Sequence, residues 1–206
     1  IALNGSPHKD GNTFLALTEV GKSLEEEGID FEIIQVGSKF IRGCMACNKC
    51  VENRNEQCVF GNDILNETLQ ELKKADALIL SSPVYYAGIA GTMKSFLDRA
   101  FYVSSANGNW FRHKVGASVV CVRRTGDSMT FNSLNQYLTI SEMLVPSSTY
   151  WNVIHGHGRR ESLKDEEGVQ TMRQLGKNMA WMMKMAQQSK QSGIEEPERI
   201  NKILTN

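Results

Sequence analysis

No run of apolar residues in this 206-residue chain approaches the roughly 20 needed to span a bilayer, and no signal peptide is recognisable. Nor is there excess charge of either sign. Lys plus Arg and Asp plus Glu both number 23, so no overall field draws the protein to nucleic acid or to an anionic membrane. Internal repeats and low-complexity tracts are absent from the sequence. So is the dispersed cysteine framework of a secreted disulfide protein: four of the five cysteines fall within one short run. These absences point to a cytoplasmic protein in a reducing compartment. The first strand, opening at Ile1, is short, so further residues upstream are expected. Motifs for ATP (GK followed by Ser or Thr) and for dinucleotides (GxGxxG) are missing, as is any Ser-His-Asp or paired-carboxylate constellation.

What is there is an alternation of short branched apolar runs with helix-period segments, the pattern of βαβ units and a parallel sheet. Strands are expected at residues 1–4, 31–36, 77–81, 115–122 and 149–153. Between them, Leu17, Val20 and Leu24, then Leu65, Leu69 and Leu72, then Met93, Phe96, Leu97 and Ala100 repeat at helical spacing. A last helix carries Met172, Leu175, Met179, Met182 and Ala186, whose methionines read as core packing. One domain over residues 1–186 is expected, followed by a polar tail over 187–206. Gly193 and Pro197 break any helix there, and Ile200, Ile203 and Leu204 offer a small apolar stripe suited to docking on a neighbouring subunit. The longest segments outside regular structure are residues 37–61, 87–91, 104–114 and 155–165, and long loops in a compact domain are often functional.

The first strand runs into NGSPHKDGNT. Ser6, the flexible Gly5 and Gly11 and a helix N-terminus near Thr13 together offer hydroxyl and backbone N–H donors to one anion, which suits a phosphate. An ordinary turn with Asn12 or Thr13 capping the helix is the alternative. The third strand ends in SPVYYAG and the fourth in CVRRTGDS, both at carboxyl ends, where open parallel sheets bind ligands. Val84, Tyr85, Tyr86 and Ala87 could form a flat, partly apolar wall with backbone groups to spare, or simply pack at the sheet end. Cys121 lies inside a strand and reads as a buried small hydrophobe.

With these loops the sequence resembles the flavodoxin-like NADPH-dependent FMN reductase family, in which a GSP-x-x-x-GNT loop holds the FMN phosphate. The resemblance extends through YWNVIHGHG, DEEG and GKNMAW and so over nearly the whole chain. It implies a three-layer sandwich, with a five-stranded parallel sheet in the order 2-1-3-4-5 and helices on both faces. It also implies that Ser6, His8, Asn12 and Thr13 meet the phosphate, with His8 standing where many relatives have Arg. The flavin edge would fall to Pro83, Val84, Tyr85, Tyr86, Ala87 and Gly88 on one loop and to Arg123, Arg124, Thr125 and Gly126 on another. A cation near the pyrimidine ring would stabilise the reduced flavin, although both arginines could equally be solvated. His155 and His157 read as surface or packing residues.

The run GCMACNKCVENRNEQC sets Cys44, Cys47 and Cys50 at two-residue intervals, with Cys58 a short loop away. That spacing matches the C-x2-C-x2-C core of bacterial ferredoxins with a nearby fourth ligand. It resembles the compact motif of the iron-sulfur flavoproteins, a branch of the same family, which implies a [4Fe-4S] cluster. Four thiolates also suit a structural zinc, though usually as two separated pairs. Free thiols capping the flavin pocket, or disulfides formed on oxidation, are the remaining readings.

The expected activity is that of an FMN-dependent oxidoreductase taking hydride from NADPH or NADH and passing electrons to a small-molecule acceptor, with the long loop over residues 104–114 on the substrate side. No side-chain acid or nucleophile is required, because the flavin carries the chemistry. The alternative is a non-enzymatic carrier relaying single electrons between FMN, the cluster and a ferredoxin-like protein. A flavin-free binding domain is a third reading. The resemblance and the apolar tail stripe both imply a homodimer or tetramer.

Overall fold

Two strands made almost wholly of apolar and small residues, β3 (Ala77–Tyr85) and β5 (Val115–Val122), pair in parallel along seven positions and form the centre of the sheet. β5 is buried at all eight residues, as a strand covered on both faces must be. The computed structural model describes residues 1–200 and 203. Around the central pair lie β1 (Ala2–Asn4), β2 (Ile33–Gln35) and β6 (Val153–His155), giving the parallel order β2-β1-β3-β5-β6. This is the order 2-1-3-4-5 that the resemblance implies. One short strand, β4 (Gly88–Ile89), turns back antiparallel on β3 and lies off that path.

Side chains alternate across each strand, so the sheet divides two cores. Leu3, Leu78, Leu80 and Val120 face a core closed by helices α3 (Leu65–Lys74), α4 (Gly91–Ala106) and α5 (Asp127–Ile140). Ala2, Ile79, Ala117 and Val119 face a second core, closed by α1 (Asn12–Glu26) and α6 (Glu166–Gln191). Of the methionines of α6, Met172 and Met179 are fully buried, Met182 and Met183 pack half-buried against the core, and Met185 is exposed. A five-residue helix, α2 (Lys49–Asn53), sits inside the cysteine run. Among the described residues no helix is long and apolar enough to cross a membrane.

Several boundaries differ from expectation, each for a local reason. β2 is shorter than residues 31–36 because Phe31 is turned onto α1, where only the missing Cβ of Gly21 leaves room for its ring. The strand expected at 149–153 begins instead at Val153: Tyr150 and Trp151 are exposed, and the backbone first meets β5 at Asn152, whose carbonyl accepts from the Val120 N–H at 2.9 Å. β3 runs four residues past Ser81, because Ser82 and Pro83 still pair with β5 and the next two residues pair with β4.

The segment over residues 104–114 also needs correction. Its first three residues belong to α4, and it leads into the amino end of β5, where Lys114 Nζ donates to the carbonyls of Leu72, Lys73 and Ala75 at the end of α3. It therefore lies at the opposite end of the sheet from the carboxyl-edge loops and is not on a substrate side. The last helix continues past Ala186 to Gln191. Beyond it the tail folds back onto its own chain, with Arg112 donating to the Pro197 carbonyl at 2.6 Å and His113 meeting Glu196 at 2.9 Å. Ile200 and Ile203 of the expected stripe are exposed, and Leu204 lies outside the described residues.

The two helices of the second core are tied by Glu19, a buried carboxylate on α1 that accepts from Lys22 at 2.5 Å and from Arg173 on α6 at 2.8 Å. Burial opposes its charge, but these hydrogen bonds outweigh burial and hold the carboxyl below its ordinary value of 4.5. A carboxylate held low adds stability above its unfolded value, and that stability is lost as pH falls through the native one. Glu19→Gln is expected to cost about 1–2 kcal/mol at neutral pH. In chemical denaturation the gap to the wild type should narrow below pH 4, and a gap independent of pH would contradict the assignment.

Candidate functional site

Parallel pairing puts the carboxyl ends of β1, β3 and β5 on one edge, and the three loops expected to hold a flavin all leave from there. The first is fixed closely against the sheet. Gly5 donates its N–H to the Ser81 carbonyl at 3.1 Å, Ser6 donates its own to Asn4 Oδ1 at 3.1 Å, and Gln35 Nε2 donates to the Ser6 carbonyl at 2.7 Å. A Cβ on Gly37 would lie 2.2 Å from the Gly5 carbonyl oxygen, so β2 must leave the sheet through a glycine for the loops to approach.

Within this loop Ser6 and Thr13 are buried. The Ser6 Oγ accepts from the His8 N–H at 3.1 Å, which leaves its own proton free to donate. α1 starts at Asn12 with no side-chain cap and no acidic residue in its first turn. The donor set of hydroxyls and uncapped helix N–H groups is that of an anion site. His8 is exposed at its rim. Asn12 is half-buried and otherwise engaged: its amide donates to the Gly158 carbonyl at 2.9 Å and accepts from Ser162 N–H at 3.2 Å, pinning the segment after β6 beside the loop. Its side chain is thus a tether, which leaves its backbone N–H as the donor it offers at the helix start. Asp10, the nearby carboxylate, is bonded to Arg159, which holds it below its usual range.

The other two loops meet each other. Residues 85–88 form a two-residue hairpin whose central Tyr86 and Ala87 both have positive φ, 48° and 58°, a type I′ turn carried by residues that pay a steric cost for it. Gly126, at φ 89°, lies under this turn: a Cβ there would sit 2.7 Å from Ala87 Cα and 3.0 Å from Val84 Cγ1. Pro83 and Val84 are half-buried, while Tyr85 and Tyr86 stand exposed at the edge. Arg123, Arg124 and Thr125 follow the end of β5 and are exposed as well. The sheet edge thus joins a set of hydroxyl and helix N–H donors to a strained, partly apolar hairpin. That combination fits FMN, whose phosphate and flat ring make those two demands.

The cysteine run lies over α4. Cys44, Cys47, Cys50 and Cys58 all line one small cavity, closed by Phe60 and by Arg99, Tyr102 and Val103 of α4. Cys44 and Cys47 are exposed, Cys58 is half-buried, and burial raises the Cys50 thiol above its usual value. Among the described residues no three metal-binding side chains converge closely enough for a single ion. Ala46, Asn48, Arg54 and Glu56 all have positive φ, so the run is held in conformations that cost energy locally.

Two residues that sequence reasoning did not single out fix its end. Asn66 accepts from the Cys58 N–H at 2.8 Å and donates to its carbonyl at 2.9 Å. Arg99, only 1% exposed, donates Nε–H to Cys58 Sγ at 3.4 Å and pairs with Asp63. Its sequence signal was weak, because an Arg beside an apolar helical stripe reads as solvent-facing. His155 and His157 are exposed; His155 contacts Asp165, the residue that caps α6.

A flavodoxin-like sheet with these three loops at its carboxyl edge is that of a flavoprotein of redox function. The family described as NADPH-dependent FMN reductase matches residues 1–158, and the chain belongs to it. Among its relatives, an iron-sulfur flavoprotein of Methanocaldococcus jannaschii is 32% identical over 192 residues, covering 90% of this chain and 97% of that protein. An iron-sulfur flavoprotein of Archaeoglobus fulgidus is 29% identical over 194 residues, covering 89% and 96%. RosB, solved with a bound 8-demethyl-8-formylriboflavin-5'-phosphate intermediate, shares the fold with a TM-score of 0.71 at 16% identity, covering 100% of this chain and 90% of its own. A flavodoxin from the domain Archaea superposes with a TM-score of 0.57 at 17% identity, over 89% and 98%.

Two outcomes check the geometry. Gly126→Ala should lose about 1–2 kcal/mol in urea denaturation, since an L side chain is strained at this φ and presses on the hairpin; an unchanged midpoint would contradict the contact. Burial pushes the Cys121 thiol up to about 12, so iodoacetamide at pH 8 should label Cys44 and Cys47 of metal-free protein and spare Cys121. Labelling of Cys121 in the folded protein would contradict its burial.

Proposed function

We propose that this protein holds FMN at the carboxyl edge of its sheet and a [4Fe-4S] cluster on Cys44, Cys47, Cys50 and Cys58, and that it relays electrons between a one-electron carrier of ferredoxin type and a second acceptor. The observation that carries the reading is the single cavity lined by all four thiols. It lies along the same helix whose first turn adjoins the flavin-edge hairpin. Gly91 and Arg99 are eight residues apart on α4, about 12 Å of helix. Bound FMN supplies the exchange between two-electron and one-electron chemistry, and a cluster supplies one-electron transfer.

The chain's own part is to bind and to orient. Ser6 and Thr13 hydroxyls and the N–H groups opening α1 hold the phosphate. The hairpin over residues 83–88, backed by Gly126, forms the wall against the ring, and Arg123 or Arg124 places a cation at its outer side. The exposed Cys44 and Cys47 leave the cluster open to a docking carrier protein. A reducing cytoplasm keeps the thiols available for it.

A second reading, hydride transfer from NADPH or NADH to the flavin and on to a small-molecule acceptor, is favoured by the family match over residues 1–158. Anaerobic stopped-flow mixing separates the two. The relay reading predicts fast flavin reduction by reduced ferredoxin and slow bleaching by NADPH, while fast bleaching by NADPH would replace it with the reductase. Ser6→Ala and Thr13→Ala should each weaken FMN by about 1.5–3 kcal/mol, roughly tenfold or more in Kd, because each removes a donor to a charged acceptor. Fluorescence titration checks this, and unchanged affinity would misplace the phosphate.

A further inference from the structure

The buried side chain in the cysteine region with most to satisfy is Arg99. It leaves α4 at 1% exposure and spends every nitrogen on the cysteine run and its flanks. Nη1 donates to the Arg42 carbonyl at 3.3 Å, just before Cys44. Nη2 donates to the Phe60 carbonyl at 2.7 Å, just after Cys58. Both also meet the Asp63 carboxylate, itself only 5% exposed, and Nε donates to Cys58 Sγ at 3.4 Å. One side chain thus ties the two ends of the run together and touches a ligand sulfur.

We propose that Arg99 is a positioning residue for the cluster, setting both the place of Cys58 and the potential of the cluster that Cys58 binds; this rests on the cluster reading above. A hydrogen bond to a ligand sulfur draws electron density from the cluster and stabilises its reduced form, whose charge is more negative. The guanidinium charge acts in the same direction. Asp63 opposes it, so the pair delivers the N–H···S bond to the cluster while leaving little net charge in the interior.

Two substitutions separate these contributions and carry opposite signs. Arg99→Lys keeps the charge opposite Asp63 but cannot present the Nε–H to sulfur while spanning both carbonyls, so the cluster should become harder to reduce. Asp63→Asn leaves the guanidinium uncompensated beside the cluster, which should then become easier to reduce. A residue that merely held the loop would, on loosening, shift both variants the same way or only lower cluster content.

The test is an anaerobic redox titration of the whole protein after iron and sulfide reconstitution, followed by electron paramagnetic resonance of the reduced cluster. Dithionite supplies the electrons through a mediator dye, is itself oxidised, and gives one electron to each cluster. The expected result is a reduced-to-oxidised ratio at fixed ambient potential that falls about tenfold in Arg99→Lys and rises by a similar factor in Asp63→Asn, about 59 mV either way for a one-electron couple. The flavin couple should stay where it is in the wild type. Should Asp63→Asn not fold, the direction in Arg99→Lys decides alone. A loaded wild type whose cluster potential the variants do not move, or move together, overturns the role of Arg99 and leaves the cluster standing. A wild type that takes up no iron and sulfide overturns both.

Discussion

The β3–β5 ladder is the constraint from which the rest of the molecule follows. Seven parallel pairs between strands of apolar and small residues, covered on both faces, fix the register of the central sheet and leave no freedom at its ends. Because the strands run the same way, everything that leaves their carboxyl ends emerges on one edge. The loop after Asn4 is stitched to Ser81 there, and the hairpin after β3 rests on Gly126 after β5. The proposed flavin site is in this sense a property of the sheet, completed by glycines where two backbones come closer than a Cβ allows.

The cysteine run depends on the same frame at one remove. It follows β2, beyond the reach of the ladder, and its own backbone is strained at four non-glycine residues. What holds it is α4, seated on the sheet through Met93, Phe96, Leu97 and Ala100 and offering Arg99 and Tyr102 on the adjoining face. Asn66, from α3, fixes the Cys58 backbone from the other side. A solvent-facing loop with Cys44 and Cys47 is therefore set against a packed wall beside the half-buried Cys58.

How much of this was legible in the sequence depended on how local the signal was. Core strands and helices showed plainly, since Val115 through Val122 and the Leu17, Val20, Leu24 spacing reflect burial directly. The loops at the carboxyl edge showed through their Gly, Ser and Pro residues, and the four cysteines through their spacing. Features set by tertiary contact were hidden. Tyr86 and Ala87 adopt left-handed conformations that their residue types disfavour, so the β4 hairpin left no trace. Asn12 looked like a ligand and is a tether for the segment after β6. Residues 104–114 looked like a substrate loop, but where the chain crosses the sheet depends on topology, and the crossing puts them at the far end. Arg99 carries no signal along the chain, because nothing in its sequence neighbourhood tells that Asp63 and two carbonyls wait to receive it.

The proposed function requires one protein to join a flavin site to a four-thiolate site through α4. An anaerobic absorbance spectrum of the purified protein, with iron and acid-labile sulfide analysis on the same sample, tests that claim most directly. It predicts FMN bands over a broad iron-sulfur absorbance, with about four irons and four sulfides per chain. Stoichiometric FMN with no iron or sulfide, before and after anaerobic reconstitution, would contradict it and leave the cysteines as free thiols beside the flavin fold.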